Sequence, residues 1–200
     1  MKIFYRIART IIYPFFRWLL PVNIIGTENI PNNGPYILCA NHTSMSDPFF
    51  LVSVFPSQIH FMAKAELFKV KIVGAVLHAA GAFAVNRGKG DLSAINTAEN
   101  LIKSNKILGI FPEGTRYITG APRRAKSGVA YITMDTKADI LPVSIYREGA
   151  FNIFRKTTIR VGKLIKFQQL IDVNETERGN MKRIVNTVTN TLTELWEMKH

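Results

Sequence analysis

The sequence predicts an α/β fold: a single domain with a central mixed, largely parallel sheet flanked by helices. Two observations lead to this prediction. Short apolar runs alternate with helical periodicities along the chain, which is the pattern of strands joined by helical crossovers. The 200 residues are 47% hydrophobic, enough for one core of substantial size. Because no internal repeat or linker divides the chain, residues 22–200 are assigned to one domain.

Each predicted strand is a short apolar run, and the predicted helices have capping residues or apolar stripes. Strands are expected at residues 22–27, 36–40, 59–63, 82–85, 107–111, 140–145 and 158–165. Helices are expected at residues 48–54, 66–79, 127–137, from Asp91 to about Lys103, and from the capping-box sequence at 174–177 towards Trp196.

For two of these elements the sequence also predicts the environment: which side of a helix is buried, and where a strand lies in the sheet. The helix at 66–79 is expected to bury one side, formed by Leu67, Val70, Val73, Val76 and Leu77. Pro142 lies within a predicted strand and cannot donate a ladder hydrogen bond. That strand is therefore expected at an edge of the sheet or at a bulge.

Residues 1–21 form a separate amphipathic segment. Aromatic and aliphatic side chains alternate there with Lys2, Arg6, Arg9 and Arg17, so that no apolar run is long enough to span a bilayer. The cleavage site of a secretory signal is also missing. The pattern favours a helix that lies on an anionic membrane surface. The alternative is a helix whose apolar side packs on the domain.

The formal net charge of +12 indicates a polyanionic partner: nucleic acid, anionic lipid or a phosphorylated substrate. No zinc-ligand spacing, Walker-type loop or recognisable nucleic-acid module accompanies the charge. Composition alone therefore does not separate lipid from nucleic acid. The single cysteine, Cys39, cannot form a disulfide within the chain, which is compatible with a reducing cytoplasm.

His42 and Asp47 lie on one predicted turn between a strand and a helix. An imidazole can take a proton near neutral pH, and a nearby carboxylate can fix its tautomer. Because no serine or cysteine nucleophile stands at a strained turn, His42 is interpreted as a base that activates a substrate hydroxyl. The alternative is a helix-capping aspartate beside an ordinary turn histidine.

Two loops that follow predicted strands carry basic residues. Ligand sites in α/β sheets lie beyond the carboxyl ends of the strands, where both loops are expected. Arg87 and Lys89, next to glycines, could hold a phosphate. The alternative is a solvated basic loop.

The second loop, at residues 112–116, is expected to approach the same ligand. Gly114 lets a backbone N–H come close to an anion, and Arg116 offers a planar fork for a phosphate. Glu113 is too acidic to face a phosphate and is given an orienting role. A plain β-turn is the alternative.

Four sequence blocks occur in a fixed order: NHTSMSD at 41–47, GAFAVNR at 81–87, FPEGTR at 111–116 and LPVSI at 141–145. Together they resemble the glycerolipid acyltransferase family, specifically its 1-acylglycerol-3-phosphate acyltransferases. The first block is the H-x4-D motif of that family. Asn86 departs from the aspartate that often precedes the arginine; little consequence is expected, because the arginine carries the charge.

The resemblance implies transfer of a fatty acyl group from acyl-CoA or acyl-carrier protein to the free hydroxyl of 1-acylglycerol-3-phosphate (lysophosphatidic acid). The product is phosphatidic acid, made in phospholipid biosynthesis. By the pattern of the family, His42 is the general base and Asp47 is its orienting partner. The implied substrate-binding residues are Lys64, Arg87, Glu113, Gly114, Thr115 and Arg116. A thioester is already activated, so no metal, cofactor or covalent intermediate is required.

The resemblance also implies a location and partners. Residues 22–200 would be the acyltransferase domain, and residues 1–21 would attach it, as a peripheral or monotopic protein, to the cytoplasmic face of the cell membrane. Anionic phospholipid is then a partner and nucleic acid is not. Two alternatives remain: an acyltransferase for another lysophospholipid or for glycerol-3-phosphate, and a non-catalytic basic protein that binds membrane or nucleic acid.

Overall fold

Within the described residues, seven strands form one sheet. The computed structural model describes residues 22–86, 91–117, 120–147 and 156–198. Its strands are β1 (Val22–Ile25), β2 (Tyr36–Ala40), β3 (Ile59–Lys64), β4 (Phe83–Val85), β5 (Ile107–Ile110), β6 (Ile140–Arg147) and β7 (Thr157–Val161). The spatial order is β1-β7-β6-β2-β5-β3-β4. Only the β6–β7 pair among these neighbours is antiparallel, which confirms the predicted mixed, largely parallel sheet.

Helices cover both faces of the sheet. They are α1 (Asp47–Val54), α2 (Ala65–Phe68), α3 (Lys71–Ala79), α4 (Leu92–Lys103), α5 (Ser127–Thr136), α6 (Phe167–Leu170) and α7 (Glu177–Glu197). Phe50 and Leu51 of α1 pack with Leu38 in the core on one face. The core on the other face is formed with α4, α5 and α7. The domain predicted for residues 22–200 therefore has a core on each side of the sheet.

Parallel pairing brings the carboxyl ends of β2, β3, β5 and β6 to the same edge of the sheet. We call this the carboxyl edge; it is marked by Ala40, Lys64, Ile110 and Arg147, the last residues of those strands. The turn that carries His42 and the loop that carries Glu113 both leave the sheet there. The prediction that these two segments emerge on one side of the domain is confirmed.

Several predicted helix and strand ends agree with the structure. Asp91 caps α4, since its Oδ1 accepts a hydrogen bond from the N–H of Ala94 at 3.1 Å. Thr176, within the predicted capping sequence, accepts from the N–H of Gly179 at 3.1 Å. The apolar stripe of α7 is buried as expected. β7 is shorter than predicted: it ends at Val161, and Ile165 forms only an isolated bridge with Ile140.

Of the two positions expected for the proline-containing strand, the edge is wrong and the bulge is confirmed. β6 lies inside the sheet, between β7 and β2, rather than at an edge. The carbonyl of Pro142 accepts from the N–H of Gly162, just after β7 ends. Gly162 faces Pro142 but Ile165 pairs with Ile140, so both Lys163 and Leu164 lie opposite Leu141. This bulge in the pairing next to Pro142 accommodates the missing N–H inside the sheet.

The prediction of one helix at 66–79 with a buried apolar side is also wrong, in two respects. The chain forms two short helices, α2 and α3, instead of one. Val70, Val73 and Val76, expected in the core, are exposed. Within α3, only Gly74 is buried, where a Cβ would lie 2.6 Å from the carbonyl oxygen of Phe68.

Residues 1–21 and Arg87 lie outside the described residues, so the membrane attachment expected of the first and the phosphate binding expected of the second stay predictions. In the part of the chain that the structure describes, no helix combines the length and the hydrophobicity needed to cross a bilayer.

Candidate active site

Asn41 fixes the start of the turn that leaves β2. Its side-chain oxygen accepts from the N–H of Ile145 at 2.7 Å, and its amide nitrogen donates to the carbonyl of Ile145 at 3.0 Å. The buried side chain thus continues the ladder between β2 and β6 by one residue beyond Ala40. This anchoring sets the position of the next residue, His42, at the carboxyl edge.

The imidazole of His42 is held from two sides. Its Nδ1 lies 2.9 Å from Oδ2 of Asp47, and both residues are buried. The ring also stacks on Phe111, the residue after β5, with ring centroids 4.0 Å apart and planes inclined by 17°. A hydrogen bond in the ring plane and a stacked neighbour together fix the orientation of the imidazole.

Asp47 accepts hydrogen bonds from the turn as well as from the histidine. The N–H groups of Thr43 and Ser44 donate to Oδ2 at 2.6 and 2.8 Å. Asp47 is the first residue of α1, and its recorded backbone donors precede the helix. The alternative of a helix-capping aspartate therefore does not describe this carboxylate, which organises the turn around His42.

Arg147 is a functional residue that the sequence reasoning missed. Its Nη2 donates to Oδ1 of Asp47 at 2.7 Å, and its Nη1 donates to the hydroxyl of Thr43. The guanidinium also lies 5.0 Å from the ring centre of Phe50 and is mostly buried. In the sequence, Arg147 stands two residues beyond the strand predicted at 140–145, but only the pairing of β6 with β2 brings it to the histidine turn.

The charge on Asp47 determines which nitrogen of His42 is free. Burial raises the pKa of Asp47, but the hydrogen bond from His42, the charge of Arg147 and the N–H groups of Ser44 and Thr43 outweigh it, so the pKa is lowered. An ionised carboxylate only accepts hydrogen bonds. Nδ1 of His42 must therefore carry the proton, and Nε2 of the neutral ring is left as a proton acceptor.

The loop after β5 is tied directly to the histidine turn. The N–H of Tyr117 donates to the carbonyl of His42 at 2.9 Å. Gly114 has φ +72, a conformation that favours glycine, and a Cβ there would lie 3.0 Å from Nζ of Lys126. The lysine ammonium thus lies against the bare backbone of the loop. The backbone angle favours glycine at this position, whereas the flexible, exposed lysine side chain could move aside.

Glu113 is buried beneath this loop without a hydrogen-bond partner among the described residues for either carboxylate oxygen. Burial is the main cause that raises the pKa of Glu113 from 4.5 to about 7, and the negative charge of Asp47 adds to it. The N–H groups of Arg123 and His42, which lie near Glu113 without meeting hydrogen-bond geometry, and the charge of Arg123 act in the opposite direction. Glu113 is therefore partly protonated near neutral pH.

The other predicted binding residues lie on the surface of the carboxyl edge. Thr115 and Arg116 are exposed, and Lys64 forms an exposed ion pair with Glu66 at 3.1 Å. Further exposed cations follow in the same loop region: Arg123, whose guanidinium lies 4.1 Å from the ring centre of Tyr117, Arg124 and Lys126. The structure therefore offers several exposed cations to an anionic ligand at the carboxyl edge, from which His42 also emerges.

Two other chemistries have no support among the described side chains. No group of three or more histidine, cysteine or acidic residues within the described ranges could hold a metal ion. Cys39 is buried in β2, and burial raises the pKa of its thiol, which makes it a poor nucleophile. Among the described side chains of the site, His42 is the group that could transfer a proton near neutral pH.

Comparison with known proteins identifies the family. A sequence model of the Acyltransferase family matches residues 21–146. The 1-acyl-sn-glycerol-3-phosphate acyltransferase of Borreliella burgdorferi is 33% identical over 178 residues, which cover 84% of this chain and 70% of the relative. The enzyme of the same name from Bacillus subtilis is 36% identical over 124 residues, covering 62% of this chain and 61% of the relative.

A solved structure has the same fold. The crystal structure of the 1-acyl-sn-glycerophosphate (LPA) acyltransferase PlsC from Thermotoga maritima matches 94% of this chain and 79% of its own, with a TM-score of 0.68 and 22% identity. The family match covers the His42–Asp47 turn and the loop at 111–116, and it ends one residue before Arg147. This chain belongs to the acyltransferase family of enzymes.

Proposed function

We propose that this chain transfers a fatty acyl group to the free hydroxyl of 1-acylglycerol-3-phosphate and so makes phosphatidic acid for phospholipid biosynthesis. The curated relatives from Borreliella burgdorferi and Bacillus subtilis bear the name of this activity. The acyl donor is a thioester of coenzyme A or of acyl-carrier protein. The observation that carries the mechanism is the 2.9 Å contact between Nδ1 of His42 and Asp47, which leaves Nε2 available to the acceptor.

The reaction requires two transfers of one proton, first from the acceptor hydroxyl to His42 and then from His42 to the leaving thiolate. Nε2 of His42 takes the proton of the acceptor hydroxyl as the oxygen attacks the thioester carbonyl. The C–S bond then breaks, and the departing thiolate takes that proton from the imidazolium and leaves as a free thiol. Asp47 stabilises the imidazolium between the two steps, and general-base catalysis of this kind contributes about 10²–10⁴-fold.

The exposed cations of the carboxyl edge are proposed to bind the phosphate of the acceptor. Arg116 offers a planar fork, and Lys126 presents its ammonium beside Gly114, where the backbone has no side chain to obstruct an approaching anion. Gly114, Thr115 and Lys64 are proposed to complete this binding surface, together with Arg87. Glu113 is buried, so its proposed role is to orient the loop rather than to contact the phosphate.

The proposed location is the cytoplasmic face of the cell membrane, with the protein attached peripherally or monotopically. The acceptor and product are both anionic lipids, and the chain has a formal net charge of +12. Residues 1–21 combine four cations with large apolar side chains and are proposed to contribute to this attachment. Nucleic acid is not proposed as a partner, because the family assignment accounts for the basic charge.

The test is a panel of acceptors with products resolved by mass. The full chain is incubated with oleoyl-CoA or oleoyl-acyl-carrier protein and, separately, with 1-acylglycerol-3-phosphate, glycerol-3-phosphate and 1-acylglycerophosphocholine. We expect phosphatidic acid as the main product and its loss in His42→Ala. Faster acylation of either other acceptor, or an active His42→Ala variant, would contradict the proposal.

A further inference from the structure

The apolar side of α3 has no partner among the described residues. Ile72, Val73 and Val76 are 79%, 40% and 48% exposed, and Val70, just before the helix, is 54% exposed. At 3.6 residues per turn, positions 72, 73 and 76 share one side of the helix. We call this group of four residues the α3 face. The α3 face is exposed, whereas the apolar side of an amphipathic helix in a globular protein is normally buried.

The packing of α3 determines which side of the helix faces the protein and which side faces outwards. Gly74 meets the backbone of Phe68, and the ring of His78 contacts the ring of Phe68 at 4.9 Å. Positions 74 and 78 lie on the side of the helix opposite to 72 and 76. Contact with α2 therefore turns the apolar stripe outwards, and the exposure of the α3 face follows from packing that the structure itself shows.

The α3 face adjoins the carboxyl edge. β3 ends at Lys64 and passes directly into α2 and then α3, so the first turn of α3 lies near the edge from which His42 emerges. Two more large apolar side chains are exposed just beyond His42: Met45, on the turn, at 58% and Phe49, in the first turn of α1, at 52%. Strands β2 and β3 are separated only by β5, so both groups lie around the same end of the sheet.

Charge indicates what covers the α3 face. Exposed Lys69 and Lys71 flank it. Residues 1–21 contain four cations and no acidic residue, and a second copy would bring the same net charge of +12, so both occupants would meet like charge. An anionic bilayer supplies apolar depth and opposite charge together.

We propose that the α3 face is a membrane-docking surface that inserts into a bilayer rich in anionic lipid, and so brings the active site to its lipid acceptor. The inference of a lipid acceptor rests on the proposed function. Docking itself does not, because a bilayer without acceptor or donor should bind the same surface. The α3 face would act in addition to residues 1–21.

Flotation of the full chain tests docking directly. The vesicles contain phosphatidylcholine with or without phosphatidylglycerol, and no substrate. Ile72→Asp places a carboxylate at the most exposed position of the α3 face and is expected to weaken binding to the anionic vesicles about tenfold. Val173→Asp is the matched control, since Val173 is 88% exposed in the segment between α6 and α7 and should bind as the parent does.

A second measurement reports the environment of the α3 face without relying on loss of binding. Cys39 is buried, so an Ile72→Cys variant can be labelled at position 72 with the polarity-sensitive fluorophore NBD, with Val173→Cys as control. We expect a blue shift at position 72, and none at 173, only when anionic vesicles are added.

Three results would overturn the proposal. The first is unchanged flotation of Ile72→Asp. The second is a blue shift at position 72 without vesicles at every protein concentration, which would assign the α3 face to another segment of the chain. The third is a blue shift that grows with protein concentration, which would assign it to a second copy. If the protein bound the vesicles normally but did not transfer an acyl group, only the proposed function would be contradicted.

Discussion

Two buried carboxylates at the carboxyl edge, Asp47 and Glu113, have opposite electrostatic surroundings. Asp47 receives a hydrogen bond from His42, two backbone N–H groups and the guanidinium of Arg147. Glu113 has no hydrogen-bond partner for either oxygen among the described residues. The pKa of Asp47 is accordingly lowered, while that of Glu113 is raised to about 7.

The two carboxylates therefore differ in charge near neutral pH: Asp47 is ionised, whereas Glu113 is only partly ionised. Burial alone opposes ionisation of both carboxylates, so the donors around Asp47 decide its state. An ionised Asp47 can stabilise the imidazolium of His42, whereas the negative charge of Asp47 discourages ionisation of Glu113. Variants of Asp47, of its partner Arg147 and of Glu113 should separate these two roles.

Asp47→Asn should have the largest effect. It removes the charge that holds Nδ1 of His42 and leaves Arg147 buried without its counter-ion. We expect acyl transfer to fall roughly 10³–10⁴-fold and the free energy of unfolding near neutral pH to fall by about 3–5 kcal/mol. Measured turnover and urea denaturation check this. Asp135→Asn, at an exposed position of α5, is the control, and an active Asp47→Asn enzyme would refute the role of the charge.

The same variant should change how stability depends on acid. Because the folded-state pKa of Asp47 is lowered, its stabilising contribution is present above the unfolded-state pKa. That contribution is lost as pH falls through the lower folded-state pKa. The parent should therefore lose stability on acidification more steeply than Asp47→Asn, as followed by thermal unfolding over a pH series.

Arg147→Lys should have an intermediate effect. A lysine keeps the charge but cannot contact Asp47, Thr43 and Ser46 together as the fork of Arg147 does. Since Arg147 positions Asp47 and not the substrate, kcat should fall about tenfold with KM unchanged. Steady-state kinetics separate the two constants, and Arg183→Lys on the exposed side of α7 should leave both unaltered. A raised KM with normal kcat would mean that Arg147 contacts substrate instead.

Glu113→Gln should have the smallest effect, visible mainly in its pH dependence. A folded-state pKa of about 7 lies above the ordinary value of 4.5, so Glu113 stabilises the fold below that value and loses this effect as pH rises through 7. We expect the parent to lose about 1–3 kcal/mol between about pH 5 and pH 8 through this group, and Glu113→Gln to lose none of it. Chemical denaturation at both pH values provides the measurement. Equal pH dependence in both proteins would contradict the raised pKa, and exposed Glu194→Gln should behave as the parent.

The parts of the fold that could be predicted are those set by local pattern. Apolar runs such as Tyr36–Ala40 became strands, and Asp91 caps α4 as expected. The position of Pro142 inside the sheet could not be predicted, because it depends on where β7 ends. The outward stripe of α3 was missed because periodicity reports that a helix has an apolar side but not what lies opposite it.

The candidate site divides in the same way. His42 and Asp47 are five residues apart, so their contact could be predicted from one turn. Arg147 is a hundred residues beyond Asp47, and its contact depends on the pairing of β2 with β6. The stacking of Phe111 on His42 likewise depends on the pairing of β2 with β5. Sequence motifs identified the reacting group, and the strand order supplied the residues that hold it.

We infer that Asp47 holds the proton of His42 on Nδ1 and leaves Nε2 as the base. ¹⁵N NMR of ring-labelled histidine reports this tautomer directly, and the signals of His42 are assigned among the four histidines by their loss in His42→Gln. We expect the neutral ring of His42 to be protonated at Nδ1 and to carry no proton at Nε2. A neutral ring protonated at Nε2 would contradict this inference.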